Sequence, residues 1–104
     1  MKMAVVHLNK ENFKSEVLDS KEPVLVDFWA AWCGPCQMLG PVIEEIAGEV
    51  TDAKICKLDV DENQELAKEY RVMSIPTLIV FKDGQIAKRE VGVKPKDEIL
   101  QMLK

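Results

Sequence analysis

Apolar and polar positions change their period several times along the chain, and each change marks an element. Positions 3–8 form a short apolar run that predicts a strand. Asn9 follows as a helix cap ahead of Phe13, Val17 and Leu18. Val24–Trp29 is apolar on both faces apart from Asp27, the pattern of a central strand covered on both sides. From Pro35 onward, Leu39, Val42, Ile43, Ile46 and Ala47 recur at helical spacing, with Glu44, Glu45 and Glu49 on the other side. Pro41 falls inside this helix, where it removes one backbone donor and crowds the preceding turn, so a kink is expected.

Positions 53–60 read as a further strand and 62–70 as a short helix. Two strand-like runs, 77–81 and 86–91, flank Asp83-Gly84, a strong hairpin signal because both central turn residues tolerate positive φ. A helix begun near Pro95 closes the chain over 96–103. The order is βαβαβ and then ββα, an α/β arrangement with no repeat, low-complexity segment or linker. With 104 residues, the chain is expected to form one domain over 1–104 and to bury a core without several disulfides.

Charge narrows the class of partner. A net charge of -4 argues against nucleic-acid binding through a basic surface. The first residues carry too short an apolar run for a signal peptide, and no segment approaches the roughly 20 apolar residues of a membrane span. An odd number of cysteines, 3, fits a reducing compartment better than a secreted disulfide framework, and a cytoplasmic location is expected.

The candidate chemistry lies in Trp32-Cys33-Gly34-Pro35-Cys36, where an apolar strand gives way to a helix. Cysteines at i and i+3 on one helical turn stand roughly 5 to 6 Å apart, inside the Cα window of about 4.4 to 6.8 Å that a disulfide requires. As a staple such a bridge is poor: a four-residue ring contributes only about 1.9 kcal/mol by loop entropy, against roughly 4.7 kcal/mol for a 100-residue ring. A reversible, reactive disulfide is the better reading. Cys33, Cys36, Cys56 and His7 also make four soft ligands, as a zinc site needs, but His7 and Cys56 sit singly in strand-like runs rather than on loops. Cys56 reads as a small core residue. Asp27, flanked by Leu25 and Trp29 on one face of a covered strand, is expected to be buried, and so either to find a partner or to take up a proton.

The sequence resembles the bacterial thioredoxins over essentially its whole length. The matching residues are 26–30 (Val-Asp-Phe-Trp-Ala), the Trp-Cys-Gly-Pro-Cys motif at 32–36, Lys57-Leu58-Asp59, the Ser-Ile-Pro-Thr-Leu run at 74–78, Lys82-Asp83-Gly84 and Val91-Gly92. The resemblance implies the thioredoxin fold, a central five-stranded mixed sheet flanked by four α-helices. It implies a general protein-disulfide reductase that works through a mixed disulfide, maintains redox homeostasis and donates electrons to reductive enzymes. No bound cofactor is expected, since the Cys33–Cys36 dithiol itself carries the two electrons. The expected partners are thioredoxin reductase and disulfide-containing clients such as ribonucleotide reductase, peroxiredoxin and methionine sulfoxide reductase, met by a monomer with no nucleic-acid or membrane partner.

The same resemblance assigns roles. Cys33, at the helix start, is expected to be the exposed attacker and Cys36, one turn in, the resolving thiol. A free thiol of pKa about 8.5 is mostly protonated at neutral pH, and a helix N-terminus, worth about 0.3 to 1 kcal/mol, lowers it by roughly one pH unit at most unless partly buried. Asp27 is expected to exchange a proton with Cys36, with Lys57 on the neighbouring strand as its charge partner. Desolvation and Lys57 then push the Asp27 pKa in opposite directions. Pro76 is expected to be cis and to face the cysteines, turning the Ile75 backbone toward an extended substrate segment. Trp32, Gly34, Pro35, Ile75, Pro76, Gly92 and Val93 would form the docking surface, while Phe28 and Trp29 pack. Two departures stand out: Gln37 where many members carry Lys, and Met73-Ser74 on the substrate-facing rim. A subunit with idle thiols and an oxidase or isomerase of the same fold are the competing readings. The Gly34-Pro35 interior argues against the latter, whose members usually carry His there.

Overall fold

The computed structural model describes residues 4–104. Strands β1 (Val6–His7), β2 (Val24–Trp29), β3 (Lys54–Asp59), β4 (Thr77–Lys82) and β5 (Gln85–Val91) form one sheet in the order β1-β3-β2-β4-β5. The strand with the most continuous apolar sequence, β2, is the middle one, parallel to β3 and antiparallel to β4. Successive β2 side chains point to opposite faces and so enter two different cores. Leu25 packs with Leu39, Ile43, Ile46 and Ala47 of helix α1 (Gly34–Glu49) and with Ile99 and Met102 of helix α3 (Lys96–Met102). Val24, Val26 and Phe28 join Phe13, Val17 and Phe81 on the other face, covered by a π-helical turn (Lys14–Leu18) and helix α2 (Gln64–Glu69). Tyr70 closes this second core edge-on to Phe81, with ring centroids 5.4 Å apart. The result is the expected α/β sandwich, a five-stranded mixed sheet with helices on both faces.

The first helix differs from expectation. Asn9 and Asn12 cap reciprocally, each accepting the other's backbone N–H, at 2.9 and 2.7 Å. The segment that follows is wound wider than an α-helix, with the Asp19 N–H reaching the Lys14 carbonyl at 2.9 Å. The Lys14–Asp19 ion pair spans the same five-residue step. Strand β1 is also shorter than positions 3–8, and residue 3 lies outside the described residues. The hairpin forms as the Asp-Gly pair predicts, with φ of 53° at Asp83 and 77° at Gly84. Its tip rests on the π-helical turn so closely that a Cβ at Gly84 would stand 2.9 Å from the Leu18 carbonyl oxygen.

The sheet order builds one end of the molecule into a site. Parallel pairing sets Trp29 at the end of β2 beside Asp59 at the end of β3, and antiparallel pairing brings Thr77, the first residue of β4, beside Phe28. The residues that follow β2 and those that precede β4 therefore meet at the same edge.

Candidate active site

The chain leaves β2 at Trp29, turns at Ala30, whose carbonyl accepts the Cys33 N–H at 3.2 Å, and enters α1 at Gly34. Pro35 occupies the first turn of that helix, where its missing N–H has no carbonyl to satisfy. Cys33 is the N-cap, its Sγ accepting the Cys36 N–H at 3.2 Å. The two cysteines are joined in a disulfide, with Cα atoms 5.2 Å apart, within the separation expected from their spacing. In the reduced protein the same N–H and the helix terminus would favour a thiolate at Cys33.

Cys33 is not the exposed member of the pair. It is 4% exposed and Cys36 is 3%, because Ala30, Trp29, Val60 and Ile75 pack around both. What distinguishes them is position: Cys33 Sγ lies 3.9 Å from the Ile75 carbonyl oxygen, at the rim, and Cys36 opens the buried stripe of α1 that continues through Leu39 and Ile43. The Ile75-Pro76 peptide is cis, as expected. Thr77 Oγ1 donates to the Ser74 carbonyl, and the Pro76 carbonyl accepts the Gly92 N–H at 2.8 Å, which ties the end of β5 to the cis peptide. Gly92, at φ 96°, carries the chain on to the half-exposed Val93.

Asp27 is fully buried, and neither carboxylate oxygen has a hydrogen-bond partner among the described residues. It shares its face of β2 with Leu25, under the helix whose first turn carries Cys36. Burial pushes its pKa up to about 7 against the smaller, opposing pull of Lys57, so desolvation wins the competition that the sequence leaves open. Lys57 is directly opposite Asp27 in the β2–β3 register, yet no ion pair joins them among the described residues. Its Nζ lies 4.4 Å from the centroid of the Trp29 ring and close to Gly40 of α1. Lys57 is thus the expected charge partner of Asp27, acting through its field rather than through contact, because its long side chain extends to the aromatic face of Trp29 and the cleft that both residues line. That cleft, about 560 Å³, is lined by Trp29, Lys57, His7, Asp59 and Asn63.

Trp32 is 71% exposed, and its indole N–H donates to Asp61 Oδ2 at 2.8 Å. Trp32 and Ile75, both expected at the docking surface, line one shallow groove of about 170 Å³ with Val60, Val72, Met73 and Ser74. Gly34 and Pro35 are exposed at the helix start, and they, Gly92 and Val93 are not among the residues lining that groove. Sequence reasoning missed Asp61, Val60 and Val72. The parallel β2–β3 pairing that sets Asp59 beside Trp29 is the signal that could have placed the residues just after Asp59 at this edge. Gln37 has a local role of its own, its Nε2 donating to the Ala31 carbonyl at 3.0 Å across the motif loop.

Cys56 is fully buried in the core on the opposite face of the sheet, and burial pushes its thiol up to about 12. His7 lies on edge strand β1 beside Lys57. Neither shares a cluster with Cys33 and Cys36, and among the described residues no group of three or more His, Cys, Asp or Glu could hold a metal ion.

Comparison with known proteins agrees with the geometry. The Thioredoxin family model matches residues 4–104. The thioredoxin of Mycobacterium bovis is 55% identical over 103 residues, covering 98% of this chain and 89% of the relative. A bifunctional thioredoxin reductase/thioredoxin of Mycobacterium leprae is 52% identical over 99 residues, covering 94% of this chain and 22% of the relative. Among solved structures, a mutant thioredoxin from Halobacterium salinarum superposes with a TM-score of 0.89 at 40% identity, covering 98% of this chain and 89% of that one. With a disulfide between Cys33 and Cys36 at the head of α1, the chain belongs to the thioredoxin family and is a thiol-disulfide oxidoreductase that reduces protein disulfides.

Proposed function

We propose that Cys33 is the attacking thiolate and Cys36 the resolving thiol of this reductase. The observation that carries the assignment is the placement of Cys33 Sγ, which accepts the Cys36 N–H at the helix N-terminus and faces the Ile75 carbonyl at the rim. The Cys33 thiolate displaces one sulfur of a client disulfide, and a mixed disulfide forms as the client thiolate leaves. Cys36 then loses its proton to Asp27, attacks Cys33 Sγ, and releases the second client thiol. A carboxylate with a pKa near 7 suits that transfer at neutral pH, since the best general base titrates near the working pH. Lys57 tunes Asp27 through its charge from the Trp29 ring rather than by contact. The cis Ile75-Pro76 segment presents backbone to an extended client strand, and Trp32, Gly34, Pro35, Gly92 and Val93 surround it.

The dithiol carries both electrons, so the cycle needs no bound cofactor. A thioredoxin reductase restores the pair, a reading supported by the relative whose name joins that reductase and a thioredoxin in one chain. Ribonucleotide reductase, peroxiredoxin and methionine sulfoxide reductase are the proposed clients of a cytoplasmic monomer. No helix of the described residues is long and apolar enough to cross a membrane.

Trapping tests the assignment. Reduced Cys36→Ser should accumulate a mixed disulfide between Cys33 and one cysteine of a disulfide-bonded client, visible as a dithiothreitol-sensitive adduct by mass spectrometry, and Cys33→Ser should give none. An adduct on Cys36 in the Cys33→Ser protein, at a comparable rate, would reverse the roles.

A further inference from the structure

Met73 is 91% exposed although it lines the apolar groove beside the disulfide, with Trp32, Val60, Val72 and Ile75 as its neighbours there. We propose that Met73 is an oxidation site whose sulfoxide weakens the docking of protein disulfides while leaving the Cys33–Cys36 chemistry intact. The inference rests on reading this groove as part of the client-docking rim.

The oxidised protein directs a peroxide toward thioethers. Cys33 and Cys36 are tied in the disulfide and offer no thiolate, and Cys56 is fully buried. Of the methionines described, Met102 is 7% exposed and protected in the core, whereas Met38 and Met73 stand open at 69% and 91%. Met38 lies on the outer side of α1, away from the groove. Among the described methionines only Met73 combines access with a place in the apolar rim. The sulfur lone pair attacks one oxygen of hydrogen peroxide, the S–O bond forms as the O–O bond breaks, and the departing hydroxide takes the proton from the new S–OH group, leaving the sulfoxide and water. Sulfur gives up two electrons and hydrogen peroxide is reduced to water. The product is a polar sulfoxide in place of a flexible apolar side chain, and methionine sulfoxide reductases reverse the change. A client segment must then desolvate a polar group where it had met a thioether. The change would accumulate while the protein is held oxidised, when peroxide is in excess of reductant.

The test treats the oxidised protein with hydrogen peroxide, removes the peroxide, and locates added oxygen by peptide mass spectrometry. Steady-state reduction of insulin and of hydroxyethyl disulfide follows, each driven by dithiothreitol. The expected result is oxygen on Met73, a rise of roughly threefold to tenfold in KM for insulin, and an unchanged rate with hydroxyethyl disulfide, which is too small to need the rim. In Met73→Leu, peroxide treatment should leave KM for insulin where that variant began, while Met38→Leu should respond like the parent. Absence of oxygen on Met73, or a loss that persists in Met73→Leu, overturns the inference. Trp32→Ala separates the two layers. If Trp32→Ala raises KM for insulin and Met73 oxidation does not, the inference fails and the rim stands; if neither raises it, the rim itself is wrong.

Discussion

Lys57 stands opposite Asp27 in the β2–β3 ladder but sets its ammonium 4.4 Å from the centroid of the Trp29 ring, leaving both carboxylate oxygens of Asp27 without a protein partner among the described residues. A buried carboxylate in contact with an ammonium would be held ionised, and one with no partner at all would stay protonated well above neutrality. The intermediate arrangement keeps the charge near enough to oppose desolvation and too far to cancel it. Asp27 is thereby poised near pH 7, where it can both accept and return a proton.

A pKa raised on folding makes Asp27 a liability to stability at neutral pH. Below about pH 3.8 it is protonated in both the unfolded and the native protein, and it costs nothing. Between 3.8 and about 7 the unfolded chain has lost its proton and the native protein keeps it, so stability falls steadily with rising pH. Above about 7 the loss is complete, at roughly 4 kcal/mol. Asp27→Asn removes this dependence. Urea unfolding of the two proteins at pH 4 and pH 8 should show the variant gaining a few kcal/mol on the parent across the interval, and a constant difference would contradict the assignment.

The same residue should shape the rate. With ionised Asp27 as the proposed base for Cys36, protein-disulfide turnover should rise through an inflection near pH 7 in the parent and lose that inflection in Asp27→Ala, with a rate at pH 7 lower by roughly a hundredfold. An identical pH profile in the variant would remove Asp27 from the mechanism.

Lys57→Met should move the Asp27 midpoint upward, because the one charge that lowers it is lost. The carboxyl carbon shift of Asp27, followed by NMR across the titration, reports this directly, and Lys57→Arg should stay near the parent. Loss of the cation over Trp29 adds a cost to stability of about 0.5–2 kcal/mol.

Asp61 fixes Trp32 from outside the motif through the indole N–H. Asp61→Ala should leave reduction of hydroxyethyl disulfide unchanged and raise KM for insulin several-fold, as the exposed ring loses its orientation. Equal KM values would show that ring orientation has no part in docking.

Glycines separate by backbone rather than by space alone. Gly84→Ala should lose at least about 1–2 kcal/mol, since its φ of 77° disfavours any Cβ and the added carbon would meet the Leu18 carbonyl at 2.9 Å. Gly48→Ala, in the last turn of α1 where an added Cβ meets nothing within 4 Å, should gain up to about 0.5–1 kcal/mol. Thermal unfolding of both variants measures the contrast.

Local chemistry accounts for what was legible before the fold was seen. The apolar run of β2 marked the central strand, Asp83-Gly84 the hairpin, and Asn9 the cap, because each depends on neighbours a few residues away. The Cys33–Cys36 spacing likewise determined a closable disulfide, since one helical turn sets the distance. That Asp27 is buried followed from its place in a strand apolar on both faces. Tertiary structure alone decided the rest. Cys33 is buried because Ile75, distant in sequence, closes over it from the head of β4. Lys57 prefers the Trp29 face because register gives it two partners at once, and a linear pattern cannot rank them. Met73 and Asp61 belong to the site only because strand pairing ends three segments at one edge, and the π-helical winding of 14–18 is invisible in a periodicity that an α-helix fits equally well. Spacing sets what a segment can form by itself; which side chains compete for the same few ångströms is settled by the packing of segments far apart in the chain.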